Sequence, residues 1–518
     1  FKTETVGTHF WHAHGVQRVA GASGHLVVRQ AAPNDVHSSL YDHDLSDHLI
    51  MLQDWHNQQF MTVFSKVVFK AQFPFFPDSI MINGRGRFSG FTDEASNKTV
   101  YIPRHVFHVQ QGQRYRFRTV SNAVVDCLLE ISVDGHNLAV IASDGAPIEP
   151  LEVGSFGIAS GERYDFILDA KADIGKYWMR VKGPSVCNNI EELALVVYDG
   201  AYDHPDPQEG EQPLSLGVRL NPFNMKSSSL VLNTNDMNSI GIEEVIEEAD
   251  VIYYVGVNFN LVNNDNFNHP VYNPAFGDKD DPSKFTGIPS PQLSSVSFRP
   301  PSAPLLSQSR EISEFEICTF ESTWAMQEHC KVEFCECTHV LEVELGKVVE
   351  LVLIDEGRFR NSHPMHLHGY RFQVLAGDKL GQSTTIENVM RLDKAGNITR
   401  RIMNAPLKDM VPIPDGGYVV VRFLADNPGW WLFHCHIELH FLTGMDVVIH
   451  VGTADDLPPI PRDFPRCGGD WYPGDDQAER PPTTPSNVAG TRQGGVLPSS
   501  AKTACGIMLL LNLLCYNC

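Results

Sequence analysis

The sequence predicts an all-β protein made of several sandwich domains, and three observations support this fold class. Apolar segments such as 115–120 and 348–353 are short and rich in β-branched and aromatic residues. Gly, Pro, Asn or Asp separates them, and no long stretch shows a helical period. The chain has 518 residues, more than one hydrophobic core usually organises, so we expect two to four domains.

Composition changes along the chain suggest the domain limits. We expect a short first segment over residues 1–40, a sandwich over 41–202, a polar and Pro-rich linker over 203–224, and a further domain over 225–470. Residues 471–518 are rich in Pro, Thr, Ser and Gly and end in a short apolar run. This composition predicts a disordered stalk.

The apolar run at the end of the tail is shorter than the ~20 residues that a membrane-spanning helix needs. Small residues followed by a polar spacer precede it, as in a GPI-attachment signal, although an apolar terminus also arises by chance. Whether the tail anchors the protein to a membrane therefore stays open at this point.

Charge and cysteine content restrict the partners and the compartment. The formal net charge of −23 argues against nucleic acid or an anionic membrane surface as a partner. Glycosylation sequons begin at Asn97 and Asn397 and agree with an extracellular protein. Dispersed cysteines predict disulfides, which we prefer to a thiolate metal site at 330–337. These cysteines are Cys127, Cys187, Cys318, Cys330, Cys335, Cys337 and Cys467.

Three histidine-rich stretches, 8–15, 361–369 and 431–445, contain the candidate metal ligands. Side chains alternate between the two faces of a strand, so His434 and His436 face one side and Cys435 faces the other. One thiolate and two imidazoles on adjacent residues can therefore serve two metal sites. The backbone between them offers a short route for electrons, and we predict that these three residues are catalytic.

One Cys, two His and a weak axial Met form the ligand set of a blue-copper site. The third stretch supplies Cys435, His440 and Met445, and His363 is the natural second imidazole because Pro364 separates it from the next pair. The remaining imidazoles are free to form a second, histidine-rich cluster: His12, His14, His366, His368, His434 and His436.

A single His-x-His pair is more often accidental than a metal site, but three pairs, one of them bracketing a cysteine, favour metal binding. Zinc fits poorly, since a structural zinc site closes on four ligands. His9 is out of phase with His12 and His14, and we assign it no role.

The stretches 363–369, 434–440 and 11–14 resemble the signature motifs of multicopper oxidases, as do 78–87, 115–118, 140–145, 161–165, 220–222 and 427–436. Residues 458–468 are similar to the C-terminal segment of insect and crustacean laccases. The resemblance covers residues 1 to about 470 and is that of an arthropod-type laccase within this family.

This resemblance implies three cupredoxin-like Greek-key β-sandwich domains, the first only partly present, and four copper ions in the complete enzyme. It assigns His363, Cys435, His440 and axial Met445 to type 1 copper and His366 to type 2 copper. The type 3 ligands it implies are His12, His14, His368, His434 and His436. The family has a further His-x-His motif upstream of 11–14 that we do not find, so we expect an N-terminally incomplete sequence and an incomplete cluster.

The function implied is one-electron oxidation of diphenols coupled to reduction of dioxygen to water. Ferroxidase or ascorbate oxidase activity is the alternative on the same scaffold, and a non-catalytic copper-binding or cell-surface protein is another. The resemblance leaves the oligomeric state open. Glu438 and Asp426 are candidates for orienting a ligand or relaying protons, but a solvated or capping role suits each equally.

Overall fold

The structure is a computed structural model. It describes residues 2–3, 5–64, 76–93, 95–125, 127–184, 187, 189–210, 217–241, 248–262, 288–357, 362–462 and 464–467. The predicted stalk and apolar tail at 471–518 lie outside these residues. None of the described helices is long and apolar enough to cross a membrane.

The chain begins with an antiparallel hairpin of β1 (Gly7–His12) and β2 (Ser23–Val28), in which Gly7 pairs with Val28 and His12 with Ser23. The hairpin packs on the following sandwich through Thr8. The Thr8 hydroxyl donates to an Asp165 carboxylate oxygen at 2.6 Å and accepts from Arg118 at 2.9 Å. These buried bonds fix the hairpin on its neighbour.

Two sheets form the first sandwich. In spatial order, the six-stranded sheet contains β11 (Ala146–Val153), β10 (Leu138–Ser143), β13 (Arg163–Asp169), β8 (Arg114–Ser121), β3 (Leu49–Trp55) and β4 (Ser79–Ile82). The seven-stranded sheet contains β17 (Val231–Leu232), β16 (Arg219–Leu220), β12 (Ser155–Ile158), β9 (Leu129–Val133), β14 (Lys176–Gly183), β15 (Ile190–Tyr198) and β7 (Val106–Val109). A two-stranded ribbon joins β5 (Thr92–Asp93) to β6 (Lys98–Thr99).

The second sandwich repeats this plan. Its six-stranded sheet contains β19 (Ile288–Leu293), β18 (Val251–Val262), β23 (Val348–Asp355), β28 (Gly417–Leu424), β25 (Phe372–Lys379) and β26 (Leu407–Lys408). Its other sheet contains β20 (Ser297–Phe298), β22 (Glu336–Val343), β30 (Asp446–Val451), β29 (Gly429–Cys435), β24 (His363–Leu367) and β27 (Met410–Ile413), with β21 (Ile317–Thr319) paired to β22.

Among the described residues, helices are short and lie between strands: α1 (Val16–Val19), α2 (Leu305–Gln308), α3 (Phe320–Cys330), α4 (Ile386–Lys394) and α5 (Glu438–Leu442), with further helical residues at 60–64. Single 3-10 turns occur at Ser46–His48, Thr234–Asp236 and Ser309–Glu311. The hydroxyl of Thr385 caps the N-terminus of α4 by accepting from the Asn388 amide at 3.2 Å. The described residues are mostly strands, and the predicted all-β class is confirmed.

Alternation along the strands places the apolar residues between the sheets. In β7, Phe107 and Val109 are buried while Val106 and His108 are exposed. Each sandwich has its own apolar core, one around Phe117 and Phe166 and the other around Leu351. Burial of such side chains is the main favourable contribution to folding.

The predicted disulfides are confirmed for six cysteines: the bonds join Cys127 to Cys187, Cys318 to Cys337 and Cys330 to Cys335. The alternative thiolate metal site at 330–337 is therefore wrong. For Cys467, whose amide donates to the Gln308 side chain at 2.7 Å, a disulfide stays a prediction.

Candidate metal centres

Strands β24 and β29 position most of the candidate ligands. They pair antiparallel, with Met365 opposite Cys435 and His366 opposite His434. Because opposite residues share a face and faces alternate, Cys435 belongs to the core side and His434 and His366 to the other side. The same parity along β24 puts His363 on the Cys435 side, which is the physical reason that the two neighbouring histidine motifs separate.

Three donors meet on the core side at the end of the sandwich. The Cys435 Sγ atom lies 3.6 Å from Nδ1 of His440 and 3.9 Å from Nδ1 of His363, and all three residues are buried. Phe259 packs against both imidazoles, with ring centroids 5.8 Å from His363 and 5.4 Å from His440. A thiolate and two imidazole nitrogens at this spacing fit one copper ion.

Met445 is fully buried beside these donors. Its backbone amide donates to the His440 carbonyl at 3.0 Å, and its carbonyl accepts from the Cys435 amide at 3.0 Å. The turn after α5 thus ties Met445 to two of the three donors. These two hydrogen bonds fix the backbone of Met445, and its role as an axial ligand stays a prediction.

Three imidazoles converge on the opposite face. The Nε2 atoms of His14, His368 and His434 lie 3.2 Å from one another. A metal ion about 2.0–2.1 Å from each nitrogen fits between donors so spaced. The three come from the segment after β1, the end of β24 and β29, so the hairpin and the second sandwich build this group together.

The other three predicted ligands surround this group. The His12 ring lies 5.2 Å from that of His436, and the His366 ring lies 5.7 Å from His436 and 4.8 Å from His368, centroid to centroid. All six imidazoles therefore form one cluster. The Nε2 atom of His9 lies 3.3 Å from the Val6 carbonyl oxygen.

Backbone carbonyls fix the tautomer of three cluster histidines. In each of them Nδ1 donates to a backbone carbonyl at 2.9–3.0 Å. His12 donates to Ala13, His366 to Asp409 and His434 to Cys435. Each bond leaves Nε2 unprotonated and able to bind metal.

Arg18, which was not predicted from the sequence, contacts His436 directly and through Ser160. The buried guanidinium donates to the His436 carbonyl at 3.0 Å and to the Ser160 hydroxyl at 2.7 Å. That hydroxyl lies 2.9 Å from Nδ1 of His436. Arg18 also pairs with the buried carboxylate of Glu438 at 3.5 Å.

Arg163 links three parts of the molecule at the cluster. Its guanidinium donates to both carboxylate oxygens of Asp409 at 2.6 Å, to the Gly161 carbonyl at 3.0 Å and to the Thr8 carbonyl at 3.3 Å. The carbonyl of Asp409 is the acceptor for His366. The motif at 161–165 carried the only sequence signal for this arrangement.

Burial keeps the candidate ligands neutral. It lowers the pKa of His12 and of His440 to about 3, and those of His14, His363 and His434 well below the usual value. Neutral imidazoles are the metal-binding form, so the site is prepared for cations.

Burial acts in the opposite direction on two nearby carboxyl groups. It raises the pKa of Glu438 to about 7 despite the opposing charge of Arg18, and it raises that of Asp355 to about 7. Asp426, the other carboxylate that the sequence singled out, is exposed.

Two openings reach the histidine cluster. A cleft of about 620 Å³ is lined by His12, His366 and His436. A largely apolar cavity of about 110 Å³ lies between His368, Phe441 and Trp431. Small molecules therefore have space on two sides of the imidazoles.

Two models of the multicopper oxidase family match the chain, one over residues 46–201 and the other over 299–455. The chain belongs to the multicopper oxidase family. Laccase-5 of Trametes villosa is 30% identical over 458 residues, which cover 87% of this chain and 72% of that protein. Laccase-1 of Fomitopsis schrenkii is 29% identical and covers 88% of this chain and 69% of that protein.

Solved structures agree on the fold. The laccase from Botrytis aclada has a TM-score of 0.60 at 22% identity and covers 87% of this chain and 71% of its own. Fet3p, a multicopper oxidase that functions in iron import, has a TM-score of 0.60 at 19% identity. The match covers 86% of this chain and 72% of the Fet3p chain. The named laccase relatives are fungal, so the arthropod-type resemblance stays a prediction.

Membership of the multicopper oxidase family makes copper the metal for these donors. The donor chemistry agrees, because a buried thiolate with two neutral imidazoles suits copper and a group of imidazoles alone suits it as well. The assignment of ligands to type 1, 2 and 3 copper stays a prediction.

Proposed function

We propose that this multicopper oxidase is a laccase, which oxidises diphenols by one electron at a time and reduces dioxygen to water. The observation that supports this most strongly is the position of Cys435 between His434 and His436. The cysteine joins the His363 and His440 group, while the two histidines belong to the cluster on the other face.

Copper, when bound, supplies the one-electron redox chemistry at both groups. In the proposed laccase, His363, Cys435, His440 and Met445 would hold type 1 copper, and His366 would hold type 2 copper. The type 3 ligands are His12, His14, His368, His434 and His436. Four ions in the complete enzyme are part of the proposal.

The protein contributes position and connection. Cys435 and its two neighbours are one residue apart, so a covalent path joins the two groups without any solvent gap. Four one-electron oxidations of the donor, with four protons, balance the reduction of one dioxygen to two waters. His440 is 8% exposed and His363 only 2%, so we place the donor beside His440.

The protein's location outside the cell is part of the same proposal, and its support is the three disulfides, which persist in an oxidising compartment. A GPI anchor at the tail stays a prediction.

Turnover by copper-loaded protein tests the proposed activity. We expect an intense blue thiolate-to-copper absorption that Cys435→Ser abolishes, and oxygen uptake with catechol that exceeds the uptake with ferrous iron or ascorbate. A wide preference for iron or ascorbate would replace the laccase assignment by the corresponding oxidase. A blue band without oxygen uptake on any donor would identify a non-catalytic copper protein.

A further inference from the structure

We infer that Asp355 is a positioning residue for His363, holding its imidazole in place and lowering the reduction potential of the copper bound by His363, Cys435 and His440. This inference rests on the proposed function only in that these donors bind redox-active copper. It assigns a role to a carboxylate that the sequence analysis did not consider.

Asp355 and His363 come from opposite sheets of the second sandwich. Asp355 is the last residue of β23, and His363 is the first residue of β24. The carboxylate therefore reaches the imidazole across the end of the sandwich.

The two nitrogens of His363 face different groups. Nδ1 lies 3.9 Å from the Cys435 Sγ atom, and Nε2 lies 3.4 Å from Oδ2 of Asp355. A neutral imidazole carries one proton, and binding of metal at Nδ1 leaves that proton on Nε2. The proton-bearing Nε2 atom then lies next to the carboxylate, and carboxylates commonly orient metal-binding histidines by accepting from such a nitrogen.

The carboxylate itself is held by the backbone. Its Oδ1 accepts from the Gly357 amide at 2.5 Å and from the Gly416 amide at 3.4 Å. Oδ2 is buried and accepts no hydrogen bond from the described residues. A buried oxygen in this state is costly, and a shift of a few tenths of an ångström toward Nε2 satisfies it.

The neighbouring carboxylate makes no such contact. Glu356 follows Asp355 directly, but its Oε2 accepts from the Asn258 side chain at 3.2 Å. Glu356 is thus a matched control, since Glu356→Gln removes one carboxylate from the same strand end without touching His363.

A hydrogen bond from Nε2–H to an oxygen of Asp355 increases electron donation by the imidazole and stabilises the oxidised metal. Removal of this acceptor therefore raises the reduction potential. Asp355→Asn keeps one side-chain oxygen that can accept from the Gly357 amide and replaces the oxygen beside His363 with an amide nitrogen. This variant therefore removes the contact with His363 and retains the hydrogen bond with the turn.

The experiment is a redox titration of the blue absorption against a one-electron mediator, with wild-type protein and three variants. We expect Asp355→Asn to shift the equilibrium about tenfold toward reduced copper, which is about 59 mV. Glu356→Gln is expected to stay within about twofold, and Asp355→Glu, which keeps an acceptor, to recover most of the wild-type potential.

Equal potentials in wild type and Asp355→Asn would overturn the inference, as would an equal shift in Glu356→Gln. Loss of the blue band in Asp355→Asn alone, with Asp355→Glu intact, supports the inference through copper binding. Loss in both Asp355 variants, with Glu356→Gln intact, makes the role merely structural and overturns it. Absence of the blue band in wild type contradicts the proposed function instead.

Discussion

Arg163 of the first sandwich binds Asp409 of the second through two hydrogen bonds, each 2.6 Å long. Both carboxylate oxygens are engaged, while the carbonyl of the same Asp409 accepts from His366. The interface between the sandwiches thus fixes one imidazole of the histidine cluster, and the arginine is as much a part of the candidate site as the ligands.

Arg163→Lys is expected to weaken copper binding by the histidine cluster and to leave the Cys435 site loaded. Lysine keeps the charge but cannot form the two parallel bonds that fix Asp409. Loss of such support for a ligand costs about 10–100-fold in metal affinity. Copper per chain, measured during dialysis against a chelator, should fall while the blue absorption per chain persists.

Arg180→Lys is the matched control for that experiment. Arg180 binds Asp134 through two bonds of 2.8 and 2.9 Å, and both residues belong to the first sandwich. We expect it to keep the wild-type copper content. Equal copper retention by both variants would show that Arg163 does not support the cluster.

Gly161→Ala is expected to displace His436 and to lower oxygen reduction and thermal stability. Gly161 has φ +85°, and an added Cβ would lie 2.9 Å from Nδ1 of His436 and 2.3 Å from the Met410 Cε atom. Gly112 has φ +82° with open space around it, so Gly112→Ala carries the same backbone cost of about 1–2 kcal/mol without the clash. Melting temperatures and rates of oxygen uptake of the two variants provide the comparison. An equal loss of stability and of oxygen uptake in both would mean that backbone strain, and not the clash with His436, causes the effect of Gly161→Ala.

The sequence predicts the grouping of ligands because that grouping depends on strand alternation, which is local. Cys435 and its neighbours separate onto two faces for this reason, and His363 joins Cys435 through the parity of β24. The all-β class is also predicted by local features, namely short segments rich in β-branched and aromatic residues that turn residues separate. These inferences need only the period of a strand and the identity of the side chains.

Supporting residues escape prediction because their contacts are long-range. Arg163 and Asp409 are 246 residues apart, and Arg18 and the carbonyl of His436 are 418 residues apart. Asp355 is near His363 in sequence, but the two belong to different sheets. A pattern in the chain contains no information on which strand ends meet across a sandwich, so only the fold reveals these partners.

Stability in acid is expected to depend on His339, a buried histidine of β22 that is not a candidate ligand. Burial lowers its pKa to about 4, whereas an unfolded chain protonates it below about 6.5. The unfolded state therefore binds more protons at this histidine between these values, and the contribution of His339 to stability falls by about 3 kcal/mol as pH drops from about 6.5 to 4.

His339→Leu removes this titration and should flatten that part of the profile. Unfolding free energies of copper-free wild type and variant, measured at several pH values, give the difference between them, in which the other titrating groups cancel. We expect the variant to gain on the wild type as pH falls from 6.5 to 4 and no further change below 4. A difference independent of pH would contradict the assignment.

Removing the Cys127–Cys187 disulfide should destabilise the protein more than removing Cys330–Cys335. The first bond closes a loop with a sequence separation of 60 and the second one of 5. Loop-closure entropy of the unfolded chain gives about 4 kcal/mol for the longer loop and about 2 kcal/mol for the shorter. Paired Cys→Ala variants, compared by melting temperature under oxidising conditions, provide the test, and each serves as the control of the other. A larger loss from the short loop would mean that packing around Cys330, which is fully buried, outweighs the entropy of the unfolded chain.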